Sequence, residues 1–371
     1  MQRIISKGMF ITLVVAGLTC LSFLGGSASA GVWAERESIG PVDTTNYDMT
    51  VGGGRIHIAY ETGGNIYYRS RSVTGGAWST ATQVGAGSLP SIAAQGTTPY
   101  IAYTLGGSAY EASGAGGWAS TQVVAGGVSY ATLAIGSAGT HHLLAEGNFD
   151  GDSYKEITHA TNSGAGWSAP SLVCDGWYDS GSGNYFGQLS ATAVGDSYGM
   201  AVGVDNWGGK VSWSSSAAAA YLPSTSIGYG TGWQGERLSR QAVSSGAAGE
   251  GFVCGNGSTL VATQYTGSWS GWVTVGSGEN ATVDTTNGLY VTYTSGGNVM
   301  FFDGTTSGVV TFDGSNVTGS NPLIAGSGND TYVLYRDGSG NLSMVSTVPE
   351  PATMILMGLG LVGMAARRRR K

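Results

Sequence analysis

The chain has 371 residues, 65 of them glycine, with 41% hydrophobic, 10% aromatic and only 11% charged residues. That apolar and aromatic content argues against a disordered chain, and with 8 prolines and no Gly-X-Y period it is not collagen-like. Taking away the +2 of residues 1–30 and the +4 of residues 349–371 leaves a body at −13, which disfavours nucleic acid because phosphate binding needs clustered Lys and Arg.

Residues 1–30 read as a secretory signal peptide. Arg3 and Lys7 form its basic region and Phe10 to Leu24 its apolar run. Ala28-Ser29-Ala30 is a small-residue cleavage site before Gly31, so the cut falls between Ala30 and Gly31. A lipoprotein leader using Cys20 is the competing reading, and Thr19 fits it poorly. The segment Val32–Ile39 then looks like the outer strand of a sheet unit whose other strands come from the far end of the body. Such pairing would hide a free sheet edge.

From Arg55 onward a pattern recurs: a strand ending in Ala-Tyr, a Gly turn, a strand with Tyr, a Gly-Trp turn, then two more strands. Four short strands with Gly-rich turns at a fixed period read as a blade of a β-propeller. The second strand can be followed at Ile56–Tyr60, Tyr100–Tyr103, His142–Ala145, Tyr198–Val202, Gly251–Cys254, Leu289–Tyr293 and Tyr332–Tyr335. The expected fold over residues 31–347 is therefore all-β, a propeller of seven four-stranded blades with the N-terminal strand closing the last one. Units four and five drift from the pattern, which leaves six or eight blades as alternatives. The recurring Tyr and Trp, including Trp78, Trp118, Trp167 and Trp269, read chiefly as core between neighbouring sheets. Cys174 and Cys254 are either a disulfide of an oxidising compartment or two small buried hydrophobes.

Insertions break the period at 146–155, 174–187, 203–209, 216–226 and 228–236, and by propeller connectivity four of the five enlarge one face. They carry Phe149, Trp177, Tyr178, Tyr185, Phe186, Trp207, Tyr229 and Trp233 among Asp, Asn and Gly. Rings that pack on sugar C–H faces, flanked by groups that bind hydroxyls, point to polysaccharide, with Trp177, Tyr178, Trp207 and Trp233 as the candidate ligand-binding residues. The alternative is that the rings pin long loops onto the propeller. Asn148, Asp150, Asp152 and Glu156 form the candidate metal site, because alternating oxygen ligands with Gly151 at the turn suit calcium. That loop resembles the FG-GAP calcium loops of integrin-type propellers, from which it departs at Asn148 and Lys155; a solvated acidic hairpin needs no metal. Catalysis has thin support. There is no Gly-x-Ser-x-Gly and no His-Glu-x-x-His, and the four His include His57 and His142 inside strands. Asp175, Asp179, Asp205 and Glu236 in the inserted loops keep a hydrolase or lyase open as an alternative, and a purely structural surface protein is a third reading.

The Ile-Ala-Tyr and Ile-Tyr-Tyr strands and the Gly-Trp-Ser turn resemble the sialidase-like and BNR-like propellers of exported bacterial proteins. The Asp-box of true sialidases is absent. The tail is more specific. Val348-Pro349-Glu350-Pro351, an apolar run from Ala352 to Ala366 and the basic cluster Arg367–Lys371 resemble a PEP-CTERM sorting signal over residues 348–371. The resemblance implies a short transmembrane helix and processing near Pro349, Glu350 and Pro351 by an exosortase, a membrane-embedded enzyme. The basic cluster would hold that end in the cytoplasm, with the body outside the inner membrane of a Gram-negative bacterium. The implied destination is the cell surface or extracellular matrix.

Overall fold

The computed structural model describes residues 33–151, 155–175, 189–201, 210–213, 225–228, 242–246, 248–256, 259–266 and 270–347. Strand β1 is Glu35–Pro41. Blade 1 follows as β2 (Tyr47–Gly52), β3 (Arg55–Thr62), β4 (Asn65–Ser72) and β5 (Thr82–Ala86). Blade 2 is β6 (Ser88–Gln95), β7 (Thr98–Leu105), β8 (Ser108–Ser113) and β9 (Ala119–Val124). Blade 3 is β10 (Val128–Ile135), β11 (His141–Gly147), β12 (Glu156–Asn162) and β13 (Ser171–Asp175). Two hairpins stand in the fourth place: β14 (Ser190–Val194) with β15 (Ser197–Ala201), and β16 (Lys210–Trp213) with β17 (Thr225–Gly228). Blade 5 is β18 (Ala242–Gly246), β19 (Gly249–Asn256), β20 (Thr259–Tyr265) and β21 (Val273–Ser277). Blade 6 is β22 (Glu279–Asp284), β23 (Tyr290–Ser295), β24 (Asn298–Phe302) and β25 (Ser307–Val309), followed by the small hairpin of β26 (Thr311–Phe312) and β27 (Ser315–Asn316). Blade 7 is β28 (Ser320–Ser327), β29 (Asp330–Arg336) and β30 (Asn341–Ser346), with β1 as its outer strand.

The innermost strands β2, β6, β10, β14, β18, β22 and β28 touch one another in turn, and β28 returns to β2. The ring is therefore a seven-bladed propeller. Tyr47 seals the last junction by donating its hydroxyl to the carbonyls of Ser320 (3.1 Å) and Asn321 (2.6 Å). Blade 5, drifted in sequence, is a complete four-stranded sheet, whereas the described strands of the fourth place are two separate hairpins.

Local chemistry explains these elements. In Gly63-Gly64, Gly106-Gly107 and Gly296-Gly297 both residues have positive φ, between 55° and 76°. This is the mirror-image turn that matches strand twist, and it lets second and third strands pair directly, as in Thr62 opposite Asn65. The strand-end tyrosines are core. Tyr103 and Tyr293 are buried, and Tyr335 is fully buried. Each lies so close to a glycine of the preceding outer strand or link that an added Cβ would fall 2.5 Å from Tyr103 at Gly87, 2.3 Å from Tyr293 at Gly276 and 2.5 Å from Tyr335 at Gly319. The repeated Gly and Tyr thus specify one packing unit. The turn tryptophans also pack as expected: Trp118 of blade 2 lies 4.8 Å from Tyr68 of blade 1, between ring centroids.

Ring closure is covalently economical and electrostatically specific. β1 pairs antiparallel with β30, Glu35 facing Ser346 and Pro41 facing Asn341. Glu35 and Glu37 on β1 both meet Arg71 on β4 of blade 1, at 2.6 Å and 2.7 Å. Trp78 donates its indole N–H to Glu37 (2.7 Å), and the guanidinium lies over the same ring at 5.5 Å. Burial pushes Glu37 up to about 7, with Arg71 opposing and Glu35 reinforcing the shift. Burial also acts on Glu35, but its bonds to Arg71 outweigh it and hold that carboxyl below the usual range.

Cys174 lies on β13 of blade 3 and Cys254 on β19 of blade 5. The fourth blade position stands between those two blades in the ring.

Candidate ligand-binding face

Strand register shows which strand ends flank the insertions. Glu156 pairs with Asp175, so the link between β11 and β12 and the exit of β13 share one end of blade 3. Ser190 pairs with Ala201, and Lys210 with Gly228. Ser190 and Ala201 thus share one end of the first hairpin, and Lys210 and Gly228 share one end of the second; the connections 176–188, 202–209, 214–224 and 229–241 lie outside the described residues. Trp177, Tyr178, Trp207 and Trp233 belong to the first, second and fourth of these and so lie outside the described residues, as do Asp152, Asp179, Asp205 and Glu236. The processing residues Ala30, Gly31, Pro349, Glu350 and Pro351 also lie outside them.

The 147–156 loop is described except at 152–154. Asn148 folds it by accepting from the Gly151 amide through Oδ1 (2.8 Å), and Glu156, 2% exposed, accepts from the Phe149 amide (2.7 Å). The Phe149 ring is half-buried against the core between blades 2 and 3. For this ring the loop-pinning alternative holds. Lys155 forms an ion pair with Glu146. Burial pushes Glu146 up, with the Lys155 ammonium opposing it. Among the described residues no three His, Cys, Asp or Glu converge as a metal set.

Sequence reading missed the rim beside these loops. The residues after Tyr60, Tyr103 and Ala145 at matching strand ends of blades 1 to 3 are Glu61, Thr104 and Glu146, all buried. Glu61 Oε2 accepts from Asn46 Nδ2 (2.8 Å) and from the Leu89 amide (3.2 Å). Thr104 and Ser88 hydroxyls are 3.0 Å apart, and Ser129 donates to the Glu146 carbonyl (3.1 Å). A groove of about 450 Å³ runs along this rim, and a separate cavity of about 390 Å³ follows the propeller axis. The position after the repeated aromatic was the available signal, but the repeat made it look structural.

The His residues are structural partners. His142 Nε2–H donates to the Asp196 carbonyl (3.0 Å), which leaves Nδ1 of the neutral ring to accept from Nε2–H of His159 (3.1 Å). Tyr198 lies 4.3 Å from His159 between ring centroids. This chain ties blade 3 to the fourth. Burial, then the neighbouring His142, pushes His159 down to about 4 from 6.5. The unfolded chain binds the proton more tightly, so this stabilisation is complete above pH 6.5 and is lost as pH falls through 4. His159→Gln is expected to flatten the acid side of a melting-temperature profile between pH 7 and 4; an unchanged profile would contradict the assignment.

The comparisons fit this architecture. The PEP-CTERM protein-sorting motif matches residues 347–370. No curated protein matches the chain. Among solved structures, the polysaccharide lyase Uly1 is similar with a TM-score of 0.54 and 8% identity, over 81% of this chain and 88% of that one. BBS1N, in its complex with ARL6DN, is similar with a TM-score of 0.52 and 13% identity, over 85% and 97%. The Penicillium chrysogenum alpha-L-arabinanase aligns with a TM-score of 0.48 and 11% identity, over 84% and 96%. At such identities the likeness shows the fold alone. The sorting motif implies an exported, membrane-anchored precursor that an exosortase-type membrane enzyme processes and that is sorted to the cell surface. Among the described residues no helix is long and apolar enough to cross a membrane, and the apolar run 352–366 lies outside them. The chain is a seven-bladed β-propeller carrying a PEP-CTERM protein-sorting motif.

Proposed function

We propose that this protein is a surface or extracellular-matrix component of a Gram-negative bacterium that binds polysaccharide without cleaving it. The observation that supports this reading is the run of aromatic-bearing insertions in sequence between blade 3 and blade 5, which by propeller connectivity favours one face. Clustered rings among short polar residues suit sugar, and a protein delivered to the cell surface meets polysaccharide there. A glycan panel tests the reading: the purified exported protein binds at least one polysaccharide, and Trp177→Ala or Trp207→Ala weakens binding about tenfold, or about 1.4 kcal/mol. Absence of binding across the panel sinks it. Release of reducing ends during the same incubation would move the protein to the hydrolase or lyase reading.

A further inference from the structure

We infer that the rim groove of blades 1 to 3 is a sugar-binding subsite, with Leu89 as its apolar wall and Glu61 as its hydroxyl acceptor. This rests on the polysaccharide reading above and extends the ligand surface away from the inserted loops.

The groove, about 450 Å³, is lined by Leu89, Leu105 and Val128 together with Glu61, Thr104 and Ser129. Leu105 is 42% exposed beside it, an unusual placement for a large aliphatic side chain in this otherwise well-buried sheet. Gly64 and Gly106 leave open space where side chains would stand, so a ligand can approach the backbone. Glu61 is only 9% exposed, and both bonds it takes from the described residues go to Oε2. Its Oε1 takes none from them, which suits a carboxylate oxygen reserved for a ligand hydroxyl.

Leu89 supplies an independent argument. The inner strands of blades 2, 6 and 7 each begin with a bulge whose second residue is left-handed: Leu89 (φ 54°), Asn280 (φ 54°) and Asn321 (φ 49°). Asn tolerates this conformation because its short polar side chain bonds locally; Leu does not. Among the described residues this fold position holds a large aliphatic side chain in left-handed backbone in blade 2 alone, where it lines both the groove and the axial cavity. Strain of this kind collects at ligand sites.

The test measures two properties of the full exported protein, using neutral hexose oligosaccharides that the wild type binds. Leu89→Asn removes the strain, so its melting temperature rises by about 2 °C or more while binding weakens at least tenfold. Glu61→Gln weakens binding similarly. If both variants bind like wild type while Trp177→Ala does not, the groove inference is wrong and the polysaccharide reading stands. If the wild type binds no glycan, both fall. If Leu89→Asn melts lower than wild type, the strain argument is overturned.

Discussion

Replacing Arg71 by Leu is expected to destabilise the protein by about 3–5 kcal/mol, the range for removing one partner of a buried ion pair. Arg71 has a fully buried side chain and binds both Glu35 oxygens, at 2.6 Å and 2.9 Å, as well as Glu37. Its loss strands Glu35 and Glu37 in a largely buried interface between β1 and blade 1. The deficit has a pH signature. Without the guanidinium both carboxyls take up protons more readily, so the loss measured by denaturant titration is smaller at pH 5 than at pH 8. A deficit that is small, or independent of pH, would show that water already reaches this cluster.

Deleting residues 33–41 is expected to remove cooperative folding altogether. The segment supplies the outer strand of blade 7 and the buried Ile39, and it places Trp33 edge-on to Phe301 at 5.4 Å. It also supplies both partners of Arg71. Exposing the β30 edge and orphaning Arg71 together approach the whole net stability of a domain, about 5–15 kcal/mol. Size-exclusion chromatography should show aggregate, and heating should give no sharp transition. A monomer that melts like wild type would mean that the ring closes without β1.

Much of this fold was legible because the repeat writes its packing into residue identity. The Ala-Tyr strand ends mark second strands, and paired glycines mark turns that require positive φ at two positions. The role of β1 was legible for a related reason: its pattern matched an outer strand that the last unit lacked. The site was less legible. Glu61 and Thr104 follow a repeated tyrosine, so their positions looked like part of the scaffold, and Glu146 follows an alanine at the matching place. Leu89 carries no sequence mark of its left-handed backbone. In the sequence Phe149 reads as one of the loop aromatics, and in the fold it is half-buried against blades 2 and 3. A ring's neighbours across a blade boundary are long-range facts that local spacing does not encode.

The most direct test of the account is a crystal structure of the exported protein with the oligosaccharide that binds it best. The account predicts sugar density on the face that the aromatic-bearing insertions favour, reaching the groove beside Glu61. Density confined to the opposite face would contradict it.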